Sequence, residues 1–323
     1  MKLDARISPS NSLRADADLI LRAERLGFAA AWVAEQAHNP FFSLTIAAKE
    51  TSKFQLGAQG AVAIPRSPMV TAQIAWDLAR QSDGRFLLGL DAPDEPAGTA
   101  RMREYIEGLR AIWNTFQTDA RLRYRGEYYT FRLMTPFFNP GPIEHPEVPI
   151  YLTGMRPQVA ELAGALCQGL QVSALHTADF LSEVVKPAVA AGLRSMQRAD
   201  NNFALTVPVM IASGVDDAGA SDAMRRLKLR IASAAGSAAF RQVSTSHRWD
   251  IAAEDLEQLA RAGQTNKLHQ LIPDEIVEAI AIVAQPQDVL DRIRERYAGL
   301  ADRVSLELSN ENSGLIAAIM AGC

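Results

Sequence analysis

Polar side chains able to transfer protons follow three apolar runs of this chain. His38 lies in a polar loop after the run AAAWV, and His176 ends the run LQVSAL. Asp91 and Asp94 follow the run FLLGL. An imidazole can donate a proton near neutral pH, and a carboxyl group can act as a general acid or base. Plainer interpretations stay open, in which His38 hydrogen-bonds the loop backbone and the aspartates are solvated turn residues.

Several other kinds of site lack support in the sequence. The five histidines show neither His-x-x-x-His nor His-Glu spacing, so no metal site is expected. Gly-x-Ser-x-Gly, the pattern of a hydrolase nucleophile, does not occur. The net charge is −4 and basic residues form no long run, which argues against nucleic acid and anionic membranes as partners.

The compartment is also indicated by what the chain lacks. Its two cysteines, Cys167 and Cys323, have no redox or metal spacing, which is typical of a reducing environment. The first ten residues, MKLDARISPS, contain no apolar signal core, and no apolar run approaches the ~20 residues of a membrane span. We therefore expect a cytoplasmic protein.

The segment 54–93 predicts the repeating unit of the fold. It reads as a buried strand, a helix that starts at Ser67-Pro68 with an apolar stripe, and a second buried strand. Parallel strands joined through a helix form a right-handed crossover. The same alternation predicts eight strands, at 2–7, 29–33, 54–64, 85–90, 148–153, 170–175, 203–212 and 302–308.

Eight strands alternating with helices over 323 residues predict an α/β fold, a (β/α)₈ TIM barrel. The alternative, an open doubly wound sheet, is disfavoured because no Gly-x-Gly-x-x-Gly follows the first strand. We expect one domain over 1–323 with insertions at about 119–148 and 216–285. The first insertion contains a predicted hairpin at 122–131. For the other insertion, helix is predicted over 216–271 and again over 273–283.

Five stretches of the sequence are informative together: WVAEQAHNPF, AIPRSPMVTAQIAWDLARQSDGRFLLGL, YRGEYYTFRLMTPFFNPGP, VPIYLTGMRPQVAELAG and AGLADRVSLEL. Together they resemble the luciferase-like flavin or deazaflavin oxidoreductases (the bacterial luciferase superfamily). They occur in family order and look most like the actinobacterial branch predicted to use coenzyme F-420. The resemblance implies a metal-free barrel that holds the flavin or deazaflavin ring across its C-terminal mouth, and a homodimer.

The resemblance also implies residues that contact the cofactor. A non-prolyl cis peptide that bulges the third strand against the ring would fall near Gln59, Gly60 and Ala61. The phosphate end would be held by backbone N–H groups of the stretch containing Gly154, Met155 and Arg156, at a helix N-terminus that suits an anion.

Three more side chains are expected at the same site. Glu35 would hydrogen-bond the cofactor ring, although capping of the next helix is the alternative. His176 would form part of the wall around cofactor or substrate rather than transfer protons. His38 and Asp94 are the candidate catalytic residues.

Two positions depart from the family pattern. Asp91 stands where many relatives have a glycine, and it would either repel an anionic cofactor or bind a cationic group. Gln36 replaces the histidine of an Asp-His pair in related sugar-phosphate dehydrogenases, and an amide cannot donate that proton.

The preferred function is hydride transfer with coenzyme F-420, reducing an activated C=C or C=N bond of a small specialised metabolite. Since a deazaflavin does not activate oxygen as flavin does, the reaction would be a reduction or dehydrogenation. The alternatives are an FMN-dependent monooxygenase and a non-catalytic partner subunit that has lost cofactor binding.

Overall fold

Eight parallel strands close into a barrel in the computed structural model, which describes residues 1–93, 97–214, 216–249, 258–259 and 261–322. Numbering the barrel strands alone, their order around the ring is β1-β8-β7-β6-β5-β4-β3-β2. The strands are β1 (Lys2–Ile7), β2 (Ala30–Ala34), β3 (Gln55–Val62), β4 (Phe86–Asp91), β5 (Ile150–Thr153), β6 (Gly169–Gln171), β7 (Ala204–Val209) and β8 (Arg303–Glu307). The predicted TIM barrel is confirmed.

Helices cover the outside of the barrel. They are α1 (Leu13–Arg25), α2 (Pro40–Glu50), α3 (Pro68–Gln81), α4 (Gly98–Thr118), α5 (Pro157–Leu166), α6 (Lys186–Ser195), α7 (Asp217–Ala234), α8 (Ala238–His247), α9 (Asp274–Ile280), α10 (Val289–Tyr297) and α11 (Ser313–Met320). As the sequence predicts, Ser67 caps α3 by accepting a hydrogen bond from the Val70 N–H at 3.3 Å. Among the described helices, none combines the length and apolarity that a membrane crossing requires.

Polar groups inside the barrel close the seam between its first and last strands. Asp4 of β1 accepts hydrogen bonds from Arg303 of β8, at 2.7 Å from Nε and 2.9 Å from Nη2. The indole N–H of Trp32 donates to the same carboxylate at 2.9 Å. Because successive side chains on a strand face opposite sides, Arg6, two residues after Asp4, also faces the lumen, closer to the carboxyl ends of the strands.

A bulge distorts β3 beside Gly60. Ala58 is in register with Leu88 and Ala61 with Leu90, so three steps along β3 match two along β4. Gly60 has a φ of 62°, a backbone region that favours glycine. The expected bulge is therefore present, but the expected cis peptide is wrong, since the described residues contain no cis peptide bond. One extra residue and the turn at Gly60 produce the distortion.

The seventh predicted strand is divided in the structure. β7 ends at Val209, and Ile211–Ala212 instead pairs in parallel with Ile282–Val283 outside the barrel. The predicted helix over 273–283 is correspondingly shorter, because α9 ends at Ile280 and the following N–H groups bond to carbonyls near Ile211.

Both insertions pack through their own contacts. The predicted hairpin forms, with Tyr124–Arg125 antiparallel to Thr130–Phe131. In the second insertion, α7 and α9 bury a separate apolar cluster that includes Leu227, Ile231 and Ile276. The polar stretch that follows α8 lies largely outside the described residues.

Candidate active site

Two joined cavities lie at the carboxyl ends of the barrel strands, the face at which barrel enzymes carry their active sites. We name the cavity of about 430 Å³ the β3 lobe; its lining includes Glu35, Gln36, Gln59, Gly60, Asp91, Thr153 and Ser173. We name the cavity of about 510 Å³ the β8 lobe; its lining includes Ser213, Ser305 and Glu307. Arg6, Pro208 and Arg230 line both, so the lobes meet at these side chains.

Glu35 fixes the backbone where β3 ends. Its carboxylate pairs with both terminal nitrogens of Arg66, at 2.5 and 2.7 Å, and accepts the Val62 N–H at 2.8 Å. The hydrogen bond and charge of Glu35 outweigh burial and raise the pKa of Arg66. Since both carboxylate oxygens are engaged, Glu35 acts on the shape of the bulge rather than as an uncommitted group facing the cavity.

Gln59 and Gly60 are the residues near the end of β3 whose amide group and backbone face the β3 lobe. Gln59 Oε1 accepts a hydrogen bond from Arg6 Nε at 2.9 Å, so its amide nitrogen remains a donor. A Cβ placed on Gly60 would have Thr153 Oγ1, at 3.8 Å, as its nearest contact. The backbone is therefore open to close approach by a flat ring. Ala61, by contrast, is buried in the core and does not line the lobe.

Asp91 and Thr153 stand side by side across from β3. They are register partners at the ends of β4 and β5, and both line the β3 lobe. Thr153 Oγ1 donates to Gln171 Oε1 at 3.2 Å. Two residues before Asp91 on β4, glycine is required at position 89, because a Cβ on Gly89 would lie 2.2 Å from the Ala58 carbonyl oxygen.

The stretch after β5 leads away from the β3 lobe. The Gly154 N–H donates to the Gln171 carbonyl at 2.9 Å, and Met155 is buried. Arg156 precedes α5, donates to the Pro93 carbonyl, and lines a separate groove of about 610 Å³ between α5 and α8. The helix N-terminus expected to hold a phosphate therefore opens into a neighbouring groove.

Charged groups meet in the β8 lobe. Arg230 of α7 lies 2.7 Å from the Glu307 carboxylate, and Arg6 lies 4.0 Å from the same oxygen. Burial lowers the pKa of Arg6, and Glu307 offsets this only in part. Burial raises the pKa of Glu307, but the charges of Arg230 and Arg6 and the Arg230 hydrogen bond outweigh it, so that pKa lies below its ordinary value.

Comparison with known proteins decides the family. The family model described as luciferase-like monooxygenase matches residues 1–303. The chain belongs to the luciferase-like family. An uncharacterised protein of Mycobacterium tuberculosis is 34% identical to this luciferase-like protein over 315 residues, covering 94% of this chain and 92% of the other.

Relatives of this luciferase-like protein include enzymes of known activity. A 5,10-methylenetetrahydromethanopterin reductase of Archaeoglobus fulgidus is 27% identical, covering 84% of this chain and 83% of the other. The solved structure of the coenzyme F-420-dependent tetrahydromethanopterin reductase of Methanopyrus kandleri superposes with a TM-score of 0.79 at 21% identity. That match covers 99% of this chain and 97% of the other, and it shows the shared barrel fold.

The histidines expected at the mouth of this luciferase-like barrel do not line either lobe. His38 is exposed, and its Nε2 lies 2.7 Å from the Asn11 side-chain oxygen. His176 is fully buried, with Nδ1 2.8 Å from the Ser173 carbonyl and Nε2 3.0 Å from the Tyr297 hydroxyl. Neither histidine therefore faces the β3 lobe or the β8 lobe. Asp94 lies outside the described residues.

Sequence reasoning missed the charged cluster of the β8 lobe. Arg6 and Glu307 each lie near the carboxyl end of a predicted strand, where a polar side chain facing the lumen reaches the mouth. That signal was available from the alternation alone. Arg230 had no such signal, because it lies in the long insertion whose packing depends on contacts distant in sequence. The described residues contain no group of three or more metal-ligating side chains.

Proposed function

We propose that this protein is an oxidoreductase that uses coenzyme F-420 for hydride transfer and reduces an activated C=C or C=N bond of a small metabolite. The observation that carries the proposal is the bulge of β3 at Gly60, which exposes backbone to the β3 lobe in a luciferase-like chain. Support for the choice of cofactor comes from a putative coenzyme F-420-dependent oxidoreductase of Mycobacterium tuberculosis, 26% identical to this chain, and from the F-420-dependent reductase whose solved structure shares the fold.

The residues of the β3 lobe fit a flat ring with a polar edge. Gly60 leaves space for the ring face, while Gln36 and Gln59 supply amide groups at the lining. Amides pair well with the alternating donors and acceptors of a deazaflavin or flavin pyrimidine edge. When bound, such a cofactor supplies or accepts the hydride, and the protein contributes orientation and proton handling.

Within this proposal, Asp91 is the acid that donates a proton to the substrate. It is the carboxyl group at the end of β4 that lines the β3 lobe, and it stands beside Thr153. Arg156 and the N-terminus of α5 would hold the anionic end of the cofactor, since backbone N–H groups and the helix dipole favour negative charge there.

The first experiment is a titration of the purified protein with F-420 and, separately, with FMN, followed by fluorescence. Micromolar binding of F-420 without binding of FMN would support the proposal. Preference for FMN would overturn it in favour of an FMN-dependent monooxygenase. Binding of neither would overturn it in favour of a partner subunit without cofactor.

Gly60→Ala tests whether the cofactor lies against the bulge. Gly27, with a φ of 84° and no atom within 4 Å of the point that a Cβ would occupy, provides a matched control just after α1. Both alanines carry a similar backbone penalty of about 1–2 kcal/mol, but only Gly60 lines the β3 lobe. We expect Gly60→Ala to weaken F-420 binding at least about tenfold and Gly27→Ala to leave it unchanged. Equal affinities in the two variants would contradict the placement.

We further propose that the protein acts in the cytoplasm as a homodimer. Exposed apolar side chains on α2, α3 and the first insertion, among them Phe42, Val70 and Phe137, support association. Light scattering coupled to size-exclusion chromatography would measure the mass in solution, and a monomeric mass would contradict the dimer.

A further inference from the structure

The β8 lobe has the composition of a site for an anionic group. It lies beside the β3 lobe, and Arg6 and Arg230 form the boundary between them. Two guanidinium groups share the single carboxylate of Glu307, with nitrogen–oxygen distances of 4.0 Å for Arg6 and 2.7 Å for Arg230. Within the lining of the β8 lobe, these two guanidinium groups and one carboxylate leave one unit of positive charge. Asp91 lines the β3 lobe, on the other side of the boundary.

The other charged side chains of the lobe do not cancel this charge. Arg226 is 63% exposed and forms an ion pair with Asp222 on its own helix. Glu311 is exposed at the rim. Exposed charges are screened by water. The Arg6 side chain is only 19% exposed and Arg230 is 45% exposed, so Arg6 supplies most of the charge that acts within the cavity.

Two hydroxyl groups without partners strengthen the argument. Ser213 Oγ and Ser305 Oγ are buried, make no hydrogen bond to described residues, and belong to residues that line the β8 lobe. A buried hydroxyl without a partner costs free energy that an accepting ligand would recover. Both hydroxyls can donate, and a carboxylate accepts through both oxygens.

We propose that the β8 lobe binds a carboxylate carried by the substrate, through Arg6, Arg230 and the hydroxyls of Ser213 and Ser305. The single excess positive charge matches a carboxylate monoanion better than a phosphate dianion. A substrate held here extends from Arg6 towards its hydrogen-bond partner Gln59 and thus towards Gly60. The assignment rests on the proposed function, because it places the reactive part of the substrate in the β3 lobe.

Calorimetric titration of the protein without cofactor tests the assignment. Butanoate is the probe, 1-butanol is its uncharged counterpart, and inorganic phosphate tests the dianion. We expect butanoate to bind more tightly than the other two probes. Arg230→Gln should weaken butanoate binding about tenfold or more, since it removes a charge-assisted hydrogen bond. Arg230→Lys should restore part of the loss by returning the charge.

Arg225→Gln is the matched control. Arg225 lies on the same helix, is 50% exposed, and pairs with Asp222 outside the lobe. It should leave butanoate binding unchanged. Equal effects of Arg225→Gln and Arg230→Gln, equal binding of butanoate and 1-butanol, or tighter binding of phosphate would each overturn the assignment.

A parallel titration with F-420 separates this inference from the proposed function. If F-420 binds and butanoate does not, the carboxylate site is wrong while the proposed function stands. If butanoate binds and F-420 does not, the proposed function is wrong while the anion-binding site in the β8 lobe stands. If Arg230→Gln weakens both ligands alike, the β8 lobe belongs to the cofactor and the substrate assignment is overturned.

Discussion

Two ion pairs join the same two strands, β1 and β8, with their charges exchanged. In the lower pair, Asp4 and Arg303 are 0% and 5% exposed and are joined by two hydrogen bonds of 2.7 and 2.9 Å. In the upper pair, Arg6 and Glu307 are 19% and 39% exposed and lie 4.0 Å apart. One seam of the barrel therefore carries a closed pair and, two to four residues further along, an open one.

The difference separates the stability of the barrel from its binding of ligands. The lower carboxylate also accepts the Trp32 indole N–H, and its bonds to Arg303 outweigh burial and raise the pKa of that guanidinium. Neither Asp4 nor Arg303 lines the β3 lobe or the β8 lobe. The upper pair lines the cavities and shares its carboxylate with Arg230. We infer that the lower pair holds the first and last strands together and that the upper pair is available for recognition.

Breaking the lower pair should have the largest effect. Asp4→Asn leaves Arg303 buried without a counter-charge, which should lower the free energy of unfolding by about 3–5 kcal/mol. Urea denaturation followed by tryptophan fluorescence measures the change, because Trp32 bonds to the same carboxylate.

A double variant separates loss of the charge pair from loss of packing. Asp4→Leu combined with Arg303→Met removes both charges and should recover much of the stability lost in Asp4→Asn, as replacement of buried ion pairs by apolar groups often does. A cost below about 1 kcal/mol for Asp4→Asn would show that the lower pair does not hold the seam.

His176, like the lower pair, is a fully buried polar group, and its burial should also affect the stability. Burial disfavours the imidazolium and lowers the pKa of His176 to about 4. Between pH 6.5 and 4 the unfolded chain binds a proton that the native state does not, so the free energy of unfolding falls as the pH is lowered. The loss is about 3 kcal/mol once the pH is below both values.

Denaturation midpoints across this pH range measure the dependence. His176→Gln should flatten it, and His145→Gln, at an exposed histidine, is the control for the substitution itself. An unchanged slope in His176→Gln would mean that His176 is not the buried base responsible.

The sequence predicted the barrel well because each strand is encoded locally. Apolar runs bounded by turn residues located all eight barrel strands, and Ser67-Pro68 marked the start of α3. The division of β7 from Ile211–Ala212 could not be predicted this way. It depends on pairing with Ile282–Val283, some seventy residues later, and not on any local signal.

The candidate site was only partly predictable for the same reason. The family resemblance identified Gln59 and Gly60, and the end of a predicted strand identified Asp91; all three line the β3 lobe. The same reasoning placed His176 at the mouth, but its orientation is set by Tyr297 on a distant helix. Position along a strand predicts which end of the barrel a residue occupies, whereas tertiary contacts decide whether its side chain reaches the cavity.

Neutralising Glu307 of the upper pair should change the stability least, and it should change the affinity for butanoate in the direction opposite to Arg230→Gln. Glu307 is 39% exposed, so Glu307→Gln should cost no more than about 1 kcal/mol of unfolding free energy in urea. If Glu307 competes with a ligand carboxylate for Arg6 and Arg230, its neutralisation should tighten butanoate binding about fivefold, the equivalent of roughly 1 kcal/mol of removed repulsion.

The sign of that change distinguishes two roles for Glu307. Tighter butanoate binding in Glu307→Gln, opposite to the loss in Arg230→Gln, would mean that Glu307 only occupies the two guanidinium groups until an anion replaces it. Weaker binding in both variants would mean that Glu307 instead positions Arg230, since their 2.7 Å contact also orients the side chain. Because the lower pair lines neither cavity, Asp4→Asn should leave butanoate affinity unchanged in whatever fraction remains folded, which confines the recognition role to the upper end of the seam.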